Sequence, residues 1–173
     1  MSSAAAVAAR RQGGLFLSIL DAHFAARLDE LDRILSTEDD PDQQAREAAA
    51  GLMRTFAAQP EWDRLFFEFA VYAARNEGFR TELVARYRAL RKRIAELLAR
   101  RAERLGIEPA VPPQEVAAMS FAMANGIALE RMLEPEAVPD RLFPEMLAIF
   151  FSGLRARGEA GASPPPAGRA SRT

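Results

Sequence analysis

His23 is the only histidine in a chain of 173 residues that contains no cysteine, and it is the first candidate for chemistry. A transition-metal site needs several nitrogen, sulfur or carboxylate ligands, and His23 has no histidine or cysteine partner. As a general base it would need a nucleophile such as Ser120 and a carboxylate, but the sequence has no GxSxG nucleophile elbow. We therefore predict no metal, no other cofactor and no catalysis. A packed histidine and a histidine in the wall of a ligand pocket both stay open.

Glu68 lies within the segment "LFFEFAV", among apolar neighbours that we expect to be buried. A buried carboxylate must be paired or hydrogen-bonded, because an isolated charge is very costly to remove from water. Two interpretations follow from this position. Glu68 forms a structural ion pair with an arginine of the next helix, or it is a polar anchor for a ligand.

Five aromatic side chains crowd the same stretch of the chain. They are Trp62, Phe66, Phe67, Phe69 and Tyr72. Aromatic residues at helical spacing usually pack in a core, but a helical bundle of this size often leaves an apolar cavity between its helices. The polar tips of buried tryptophan and tyrosine need partners, and a ligand can be one. The pattern predicts either a solid core or a ligand pocket around this helix.

The periodic segments of the chain all have helical spacing, and none alternates as a strand does. Apolar residues recur every three or four positions from Leu15 to about Ser36. Proline is favoured in the first turn of a helix, and it marks three further starts, at Pro41, Pro60 and Pro113. Gly78 is expected to separate the third helix from the fourth. With a final helix after "EPEAVPDRLFP", the sequence predicts an all-α bundle of six helices.

The charge pattern gives no indication of direct nucleic-acid or membrane binding. The formal net charge is −1, so no strong overall field attracts the chain to a polyanion. Glutamates interrupt the arginines between Arg86 and Arg104, which is typical of a solvated, salt-bridged helix face. No apolar run approaches the roughly 18 residues of a membrane span, and no secretory signal is recognisable. We expect a cytoplasmic protein.

The final helix carries two adjoining apolar faces. One contains Leu142, Met146, Ile149 and Phe150, and the other contains Phe143, Leu147, Phe151 and Leu154. One face can cover the core, but a second would leave an exposed apolar patch that monomers rarely tolerate. The pattern therefore predicts self-association through this helix and its neighbour.

Three segments, in this order, resemble the ligand-binding and dimerisation body of TetR-family transcriptional regulators. The family's linking helix, which joins the DNA-binding head to the body, is similar to "GGLFLSILDAHFAARLDELDRIL". The helix pair around the effector pocket is similar to "PEWDRLFFEFAVYAARNEGFRTELVARYRALRKRIAELL", and the pattern before the last helix to "AMANGIALERMLEPEAVP". The resemblance implies a TetR-like domain over residues 15–157. A remnant or disordered N-terminus would occupy residues 1–14, and a disordered tail residues 158–173.

The DNA-binding head of that family should occupy several dozen residues before Leu15, where this sequence has "MSSAAAVAARRQGG". A misassigned or frameshifted start, a truncated chain and a truly headless body would each explain the difference. We favour a misassigned or disrupted start, because the linking helix is intact. DNA binding is expected only through a head that this sequence does not contain.

The resemblance also implies the binding sites. In the family, a small and usually apolar effector enters between the body helices and moves the linking helix. We expect such a ligand to contact His23, Trp62, Phe66, Phe69, Tyr87, Met119, Phe121, Met123 and Asn125. We expect the interface of a two-fold homodimer to contain Gly126, Ile127, Phe143, Phe150 and Leu154. The alternatives are a dimerisation bundle without a ligand, which solid packing would favour, and a small helical enzyme.

Overall fold

A computed structural model describes residues 3–37 and 40–162, with side chains at 11–37 and 40–159. The described residues form six α-helices: α1 (Ser3–Leu35), α2 (Pro41–Ala58), α3 (Pro60–Arg75), α4 (Glu77–Leu105), α5 (Pro113–Leu133) and α6 (Leu142–Ala162). A 3₁₀ turn, Pro135–Ala137, lies between α5 and α6. No strand occurs in these residues, and the predicted all-α fold of six helices is confirmed.

Helix α1 begins at Ser3 rather than at Leu15, where the apolar pattern starts. The preceding residues are rich in alanine, which has the highest helix propensity, so the helix continues without an apolar stripe to mark it. Gly13 lies inside α1, where a Cβ atom would stand 3.1 Å from Phe79 Cε2. This glycine allows a close approach to Phe79 and does not end the helix. From Ser3 onward, the segment expected as a separate N-terminus is continuous with α1.

The start of α2 is the one that the sequence predicts. Pro41 is its first residue, and the Asp40 carboxylate accepts hydrogen bonds from the backbone N–H groups of Asp42 and Gln43 at 3.0 and 3.1 Å. An N-cap of this kind satisfies amide groups that have no partner within the helix.

The boundary between α3 and α4 lies at Asn76 and not at Gly78. The Asn76 side chain accepts a hydrogen bond from the Phe79 N–H at 3.0 Å and so caps α4. Gly78 is part of α4, because one glycine costs a helix only about 1 kcal/mol and a good cap offsets that cost. At the other end of the chain, α6 continues to Ala162, beyond the predicted end at Arg157. The tail prediction for residues 163–173 lies outside the described residues.

Helices α1 and α4 lie side by side and run parallel. Three polar contacts join them in rising order along both helices: Asp21 with Arg86, Asp32 with Arg100, and the Leu35 carbonyl with Arg104. The predicted salt-bridged face of α4 is confirmed, since its arginines also pair with glutamates of the same helix. These pairs orient one face of α4 toward α1 and leave the rest of the charge in solvent.

Helix α2 runs antiparallel to α1 and also packs along α6. The buried Gln44 side chain donates a hydrogen bond to the Ile34 carbonyl at 3.2 Å. Further along α2 and earlier in α1, Arg27 donates to the Ala48 carbonyl and pairs with Glu30. These contacts hold α2 against the inner face of α1.

The buried apolar residues form two clusters. The first joins α2, α5 and α6 and contains Ala49, Met53, Phe56, Ile127, Ala128, Val138, Phe143 and Leu147. The second joins α1, α3 and α4 and contains Phe16, Leu17, Leu20, Ala73 and Leu83. Most aromatic side chains of α3 pack against the second cluster.

Glu68 is exposed, so both predictions that assumed its burial are wrong. Helix α3 is covered on one side only, and Val71 on its outer side is 57% exposed. The acid that α3 buries is Asp63, which is 7% exposed. Helix α3 therefore carries more apolar residues than its neighbours cover. For that reason the sequence alone did not show which face of α3 is directed into the bundle.

Candidate ligand-binding site

A cavity of about 340 Å³ lies among the helices. All six helices contribute to its wall, together with the loop between α4 and α5. The wall is mostly apolar, and the volume falls in the range of small-molecule sites, roughly 300–1,000 Å³. A site of this type binds the apolar part of a ligand by burial, and its few polar groups decide what else the ligand must carry.

One end of the cavity, which we call the aromatic end, is formed by His23, Phe24, Trp62, Phe66 and Phe121. The His23 ring stacks on Trp62, with ring centroids 4.1 Å apart and planes within 10°. Burial lowers the pKa of His23 from its ordinary 6.5 and so favours the uncharged ring. The only histidine is therefore part of an aromatic wall.

The other end, which we call the arginine end, contains Gln44, Arg101, Leu105, Leu154 and Arg155. The Arg101 Nε–H donates a hydrogen bond to Gln44 Oε1 at 2.8 Å, and Arg155 forms an ion pair with Asp42 at 2.5 Å. Gln44 Nε2 donates to backbone carbonyls in turn. The two arginines at this end thus already have protein partners.

An aliphatic stretch connects the two ends. Its side chains are those of Leu28 and Leu31 from α1 and Ile94 and Leu98 from α4. Along α1 the cavity wall extends from Leu20 to Leu35, a distance of about 22 Å at 1.5 Å per residue. The cavity is therefore elongated along α1.

Asp63 is a buried carboxylate in this wall, in the first turn of α3. Among the described residues it has no hydrogen bond and no ion pair; its one electrostatic neighbour is Arg131. Arg131 itself donates to Asp140 at 2.8 Å. Burial raises the pKa of Asp63 from 3.8 to about 6, although the positive charge of Arg131 acts in the opposite direction.

Two neutral polar side chains, Ser120 and Asn125, line the cavity from α5. The Ser120 hydroxyl is buried and has no hydrogen-bond partner among the described residues. His23 therefore does not hold Ser120 as a base would hold a nucleophile, and the enzymatic interpretation lacks its first contact. No group of three or more acidic or histidine side chains within the described ranges could hold a metal ion.

Of the nine residues predicted to contact a ligand, five line the cavity: His23, Trp62, Phe66, Phe121 and Asn125. The structure places the other four outside its wall, and these are Phe69, Tyr87, Met119 and Met123.

These four residues support the bundle in other ways. Phe69 stacks on Phe16 with ring centroids 4.1 Å apart, and Tyr87 lies edge-on to Phe121 at 4.9 Å, behind the cavity wall. Burial raises the pKa of Tyr87. Met123 packs against the first core cluster, and Met119 is 37% exposed. Helical periodicity identified the right helices but not which side of each faces the cavity.

Some of the residues predicted for a dimer interface are buried within the chain, and others are exposed. Ile127 and Phe143 are 6% and 2% exposed within the chain itself, so they have almost no surface left for a second copy. Leu154 lines the cavity, and Phe150 packs partly against the first core cluster. Gly126 is exposed. Of the two apolar faces of α6, the one that contains Phe143 is directed inward.

The outer faces of α5 and α6 carry apolar residues that the chain leaves uncovered. On α5 they recur every three or four positions and comprise Met119, Ala122, Gly126, Leu129 and Leu133. On α6 they include Leu142 and Ile149. Leu133 and Ile149 are 69% and 71% exposed.

Sequence reasoning missed Asp63, Gln44 and Arg27 as parts of the cavity wall. For Asp63 a signal was present: it precedes Phe66 by three residues and so shares the face of α3 that carries Phe66. Nothing in the sequence distinguishes that face from the one that carries Glu68.

An all-helical domain with an elongated apolar cavity is the architecture that this part of the chain defines. Residues 41–156 match the family described as BetI-type transcriptional repressor, C-terminal. The chain belongs to this family, and its domain is a C-terminal domain of the TetR type. The family is one of transcriptional regulators and not of enzymes.

The fold is similar to that of a solved transcriptional regulator from Rhodococcus sp. Rha1. The TM-score is 0.59, with 20% sequence identity, and the match covers 84% of this chain and 95% of that one. Identity at this level shows the fold alone. No curated relative matches the sequence. Within the described residues, no helix has the length and apolar character needed to cross a membrane.

Proposed function

We propose that the chain is the effector-binding and dimerisation body of a TetR-type regulator, and that a small, largely apolar molecule occupies the cavity. The observation that carries this proposal is the cavity of about 340 Å³ with a wall drawn from all six helices. A solidly packed dimerisation bundle would have no such space.

Helix α1, which resembles the family's linking helix, supplies the means by which a ligand acts. It contributes Leu20, Phe24, Leu28 and Leu31 to the wall, so a ligand in the cavity touches α1 directly. The ligand changes the position of α1 only to the extent that it binds one position more tightly than another. Arg27 joins α1 to α2 beside the cavity and is the contact most directly exposed to such a change.

Trp62 provides the test of ligand binding, because it is the only tryptophan and lines the cavity. A panel of alkanols, fatty acids, alkylamines and polycyclic aromatics is titrated while Trp62 emission and the melting temperature are recorded. We expect at least one class to change the emission and raise the melting temperature. A panel without any response would contradict the proposal.

A matched pair of variants on α4 localises the binding. Ala102 lines the cavity, whereas Ala99 is exposed on the same helix. Ala102→Phe should fill part of the cavity and weaken a ligand that reaches this end of it, and Ala99→Phe should leave its affinity unchanged. Equal effects of both variants would place the binding elsewhere.

We also propose that the chain forms a two-fold dimer through the outer faces of α5 and α6. The spacing of the exposed apolar residues on α5 is that of a helix-packing seam, and Gly126 in its middle permits close approach. Uncovered side chains such as Leu133 and Ile149 would gain roughly 25 cal/mol for each Å² of apolar surface buried. An isologous interface repeats each gain on both sides of the two-fold axis.

Sedimentation at micromolar concentration tests the dimer. Ile149→Glu places a charge on the proposed interface and should yield a monomer, since an unpaired charge there would have to lose its water. Val71→Glu introduces the same charge at an exposed position of α3 and should remain dimeric. A monomeric unmodified chain, or a dimer that survives Ile149→Glu, would contradict the proposed interface.

Operator binding is assigned to none of the described residues. The family resemblance associates it with a helix-turn-helix head joined to the N-terminal side of the linking helix, and we propose that any DNA contact depends on such a head. The ion-paired arginines of α4 support this assignment, because they already face carboxylates of α1 and α4.

A further inference from the structure

Among the described residues, Asp63 is the one buried carboxylate in the cavity wall, and it has no ion pair and no hydrogen bond. Both arginines at the arginine end are engaged: Arg155 with Asp42 and Arg101 with Gln44. Arg27, between the two ends, is bonded to Glu30 and to the Ala48 carbonyl. A buried carboxylate without compensation is costly, so its presence in the wall requires an explanation.

No basic side chain among the described residues forms an ion pair or a hydrogen bond with Asp63. The positive charge of Arg131 on α5 favours the charged form of Asp63, but Arg131 donates its hydrogen bond to Asp140. On α1, burial favours the uncharged form of the His23 ring, and Arg27 already has a carboxylate partner. A cation that enters the cavity can therefore supply the ion pair that Asp63 lacks.

Stabilisation of α3 does not explain the burial of Asp63. An acid in the first turn of a helix interacts favourably with the helix dipole, and both Glu61 and Asp63 stand in that turn of α3. Glu61 is 84% exposed and pairs with Arg64, so it provides this benefit without losing its water. The burial of Asp63 is an additional cost that the helix itself does not require.

We propose that the effector is an amphipathic amine, whose ammonium group bonds to Asp63 and whose hydrocarbon chain extends along the aliphatic stretch toward the arginine end. This inference rests on the proposed function and specifies its ligand. An alkylammonium carries N–H donors for the carboxylate and stays protonated near neutral pH, as lysine does. The hydroxyl of Ser120, also without a partner, is a second acceptor in the same wall.

The direction of the ligand follows from the same contacts. A fatty acid would need to place its carboxylate at the arginine end, where Arg101 and Arg155 are already bonded to Gln44 and Asp42 and would have to share their N–H donors. At the aromatic end its head would meet the negative charge of Asp63. An amine bound at Asp63 breaks no existing contact, and its chain lies against Leu28, Leu31 and Leu98.

Three probes of equal chain length separate charge from hydrophobicity: decylamine, decan-1-ol and decanoate. Each is titrated below its micelle concentration at pH 7.5 into the full chain, and affinity is measured by calorimetry and by Trp62 emission. We expect decylamine to bind at least about tenfold more tightly than decan-1-ol, since a hydrogen bond to a charged group is worth about that factor or more. Decanoate should bind most weakly.

Two variants in the same turn of α3 assign the effect. Asp63→Asn removes the buried charge at nearly constant volume and should lower decylamine affinity at least about tenfold, while decan-1-ol affinity stays within about threefold. Glu61→Gln removes an exposed charge from that turn and should change neither affinity. Circular dichroism and urea unfolding of the three proteins establish that each is folded.

The outcomes separate this inference from the proposed function. Binding of decan-1-ol or decanoate without a preference for decylamine would overturn the amine assignment and leave the effector-binding role intact. An equal loss of both decylamine and decan-1-ol in Asp63→Asn would likewise overturn it. Failure of all three probes, and of the wider panel above, would count against the effector-binding role itself.

Discussion

The two ends of the cavity contain charged side chains in opposite situations. At the arginine end, Arg155 pairs with Asp42, and Arg101 bonds to a glutamine that is itself bonded to backbone carbonyls. At the aromatic end, Asp63 lies near aromatic rings without an ion pair or a hydrogen bond among the described residues. The arginines at one end have polar partners within the protein, and the carboxylate at the other end has no hydrogen bond or ion pair among the described residues.

This difference separates groups that hold the bundle from groups that are available to a ligand. A buried charge with good partners contributes to a defined arrangement of helices, because moving either partner leaves the other uncompensated. A buried charge without partners destabilises the empty protein, and a ligand of opposite charge recovers that cost when it binds. The aromatic end therefore depends on packing for its stability and has an unpaired charge available for binding.

The largest loss of stability is expected from removing an aromatic side chain that packs behind the aromatic end. Phe16 is 2% exposed and stacks on Phe69 and Trp62 at 4.1 and 5.5 Å. Phe16→Ala should lower the free energy of unfolding by about 3–5 kcal/mol in urea titrations and shift Trp62 emission. Its neighbour Leu15 is 65% exposed, and Leu15→Ala should cost less than about 0.5 kcal/mol. Equal losses would show that the aromatic stack does not support this end.

Removing the unpaired charge of Asp63 should raise the free energy of unfolding, whereas removing Phe16 lowers it. Asp63 has a folded-state pKa of about 6 against an ordinary 3.8, so the folded protein prefers its protonated form. Its stabilising contribution is fully present below pH 3.8 and is lost as the pH rises through 6. At pH 7.5, Asp63→Asn should therefore raise the free energy of unfolding, by up to about 3 kcal/mol for two pKa units.

The pH dependence of that gain is the sharper measurement. The stability difference between Asp63→Asn and the unmodified chain should be small below pH 3.8 and reach its full value above pH 7. A destabilising effect at every pH would mean that Asp63 has a partner in solution and would remove the contrast between the two ends. Glu61→Gln is the control, and its stability difference from the unmodified chain should not rise comparably with pH.

The smallest effect is expected at the arginine end. The side chains of Arg155 and Asp42 are 26% and 38% exposed, and their ion pair is partly screened by water. Arg155→Gln should lower the free energy of unfolding by less than about 1 kcal/mol, and the loss should shrink as salt is added. Arg157→Gln, at an exposed position on the same helix, should have no measurable effect. A loss above 2 kcal/mol would mean that this pair supports the arginine end strongly.

Much of the fold follows from local rules that a sequence displays. The starts of α2, α3 and α5 lie at Pro41, Pro60 and Pro113, as the cap and proline rules predict. The break between α3 and α4 was placed two residues too late, because the cap at Asn76 determines it and the glycine at Gly78 does not. Alanine-rich residues extend α1 to Ser3 without an apolar stripe.

The candidate site was predictable at the level of helices and not of side chains. His23, Trp62 and Phe66 line the cavity as expected, while Phe69 and Tyr87 lie behind its wall. The apolar residues of α3 and α6 extend over more than one face, and periodicity cannot say which face a neighbouring helix covers. For the same reason Glu68 was expected inside, and Asp63 was overlooked.

The sequence by itself determined the six helices, the starts of those that begin at proline, and the family, because these depend on neighbours along the chain and on the order of recognisable segments. Only the tertiary structure decided that Asp63 is buried without a partner and Glu68 is in solvent, that Phe143 is in the core, and that Ile149 is outside it. Burial depends on how each helix is rotated against the others. That rotation is set by the packing of all six helices together, and no single helix encodes it.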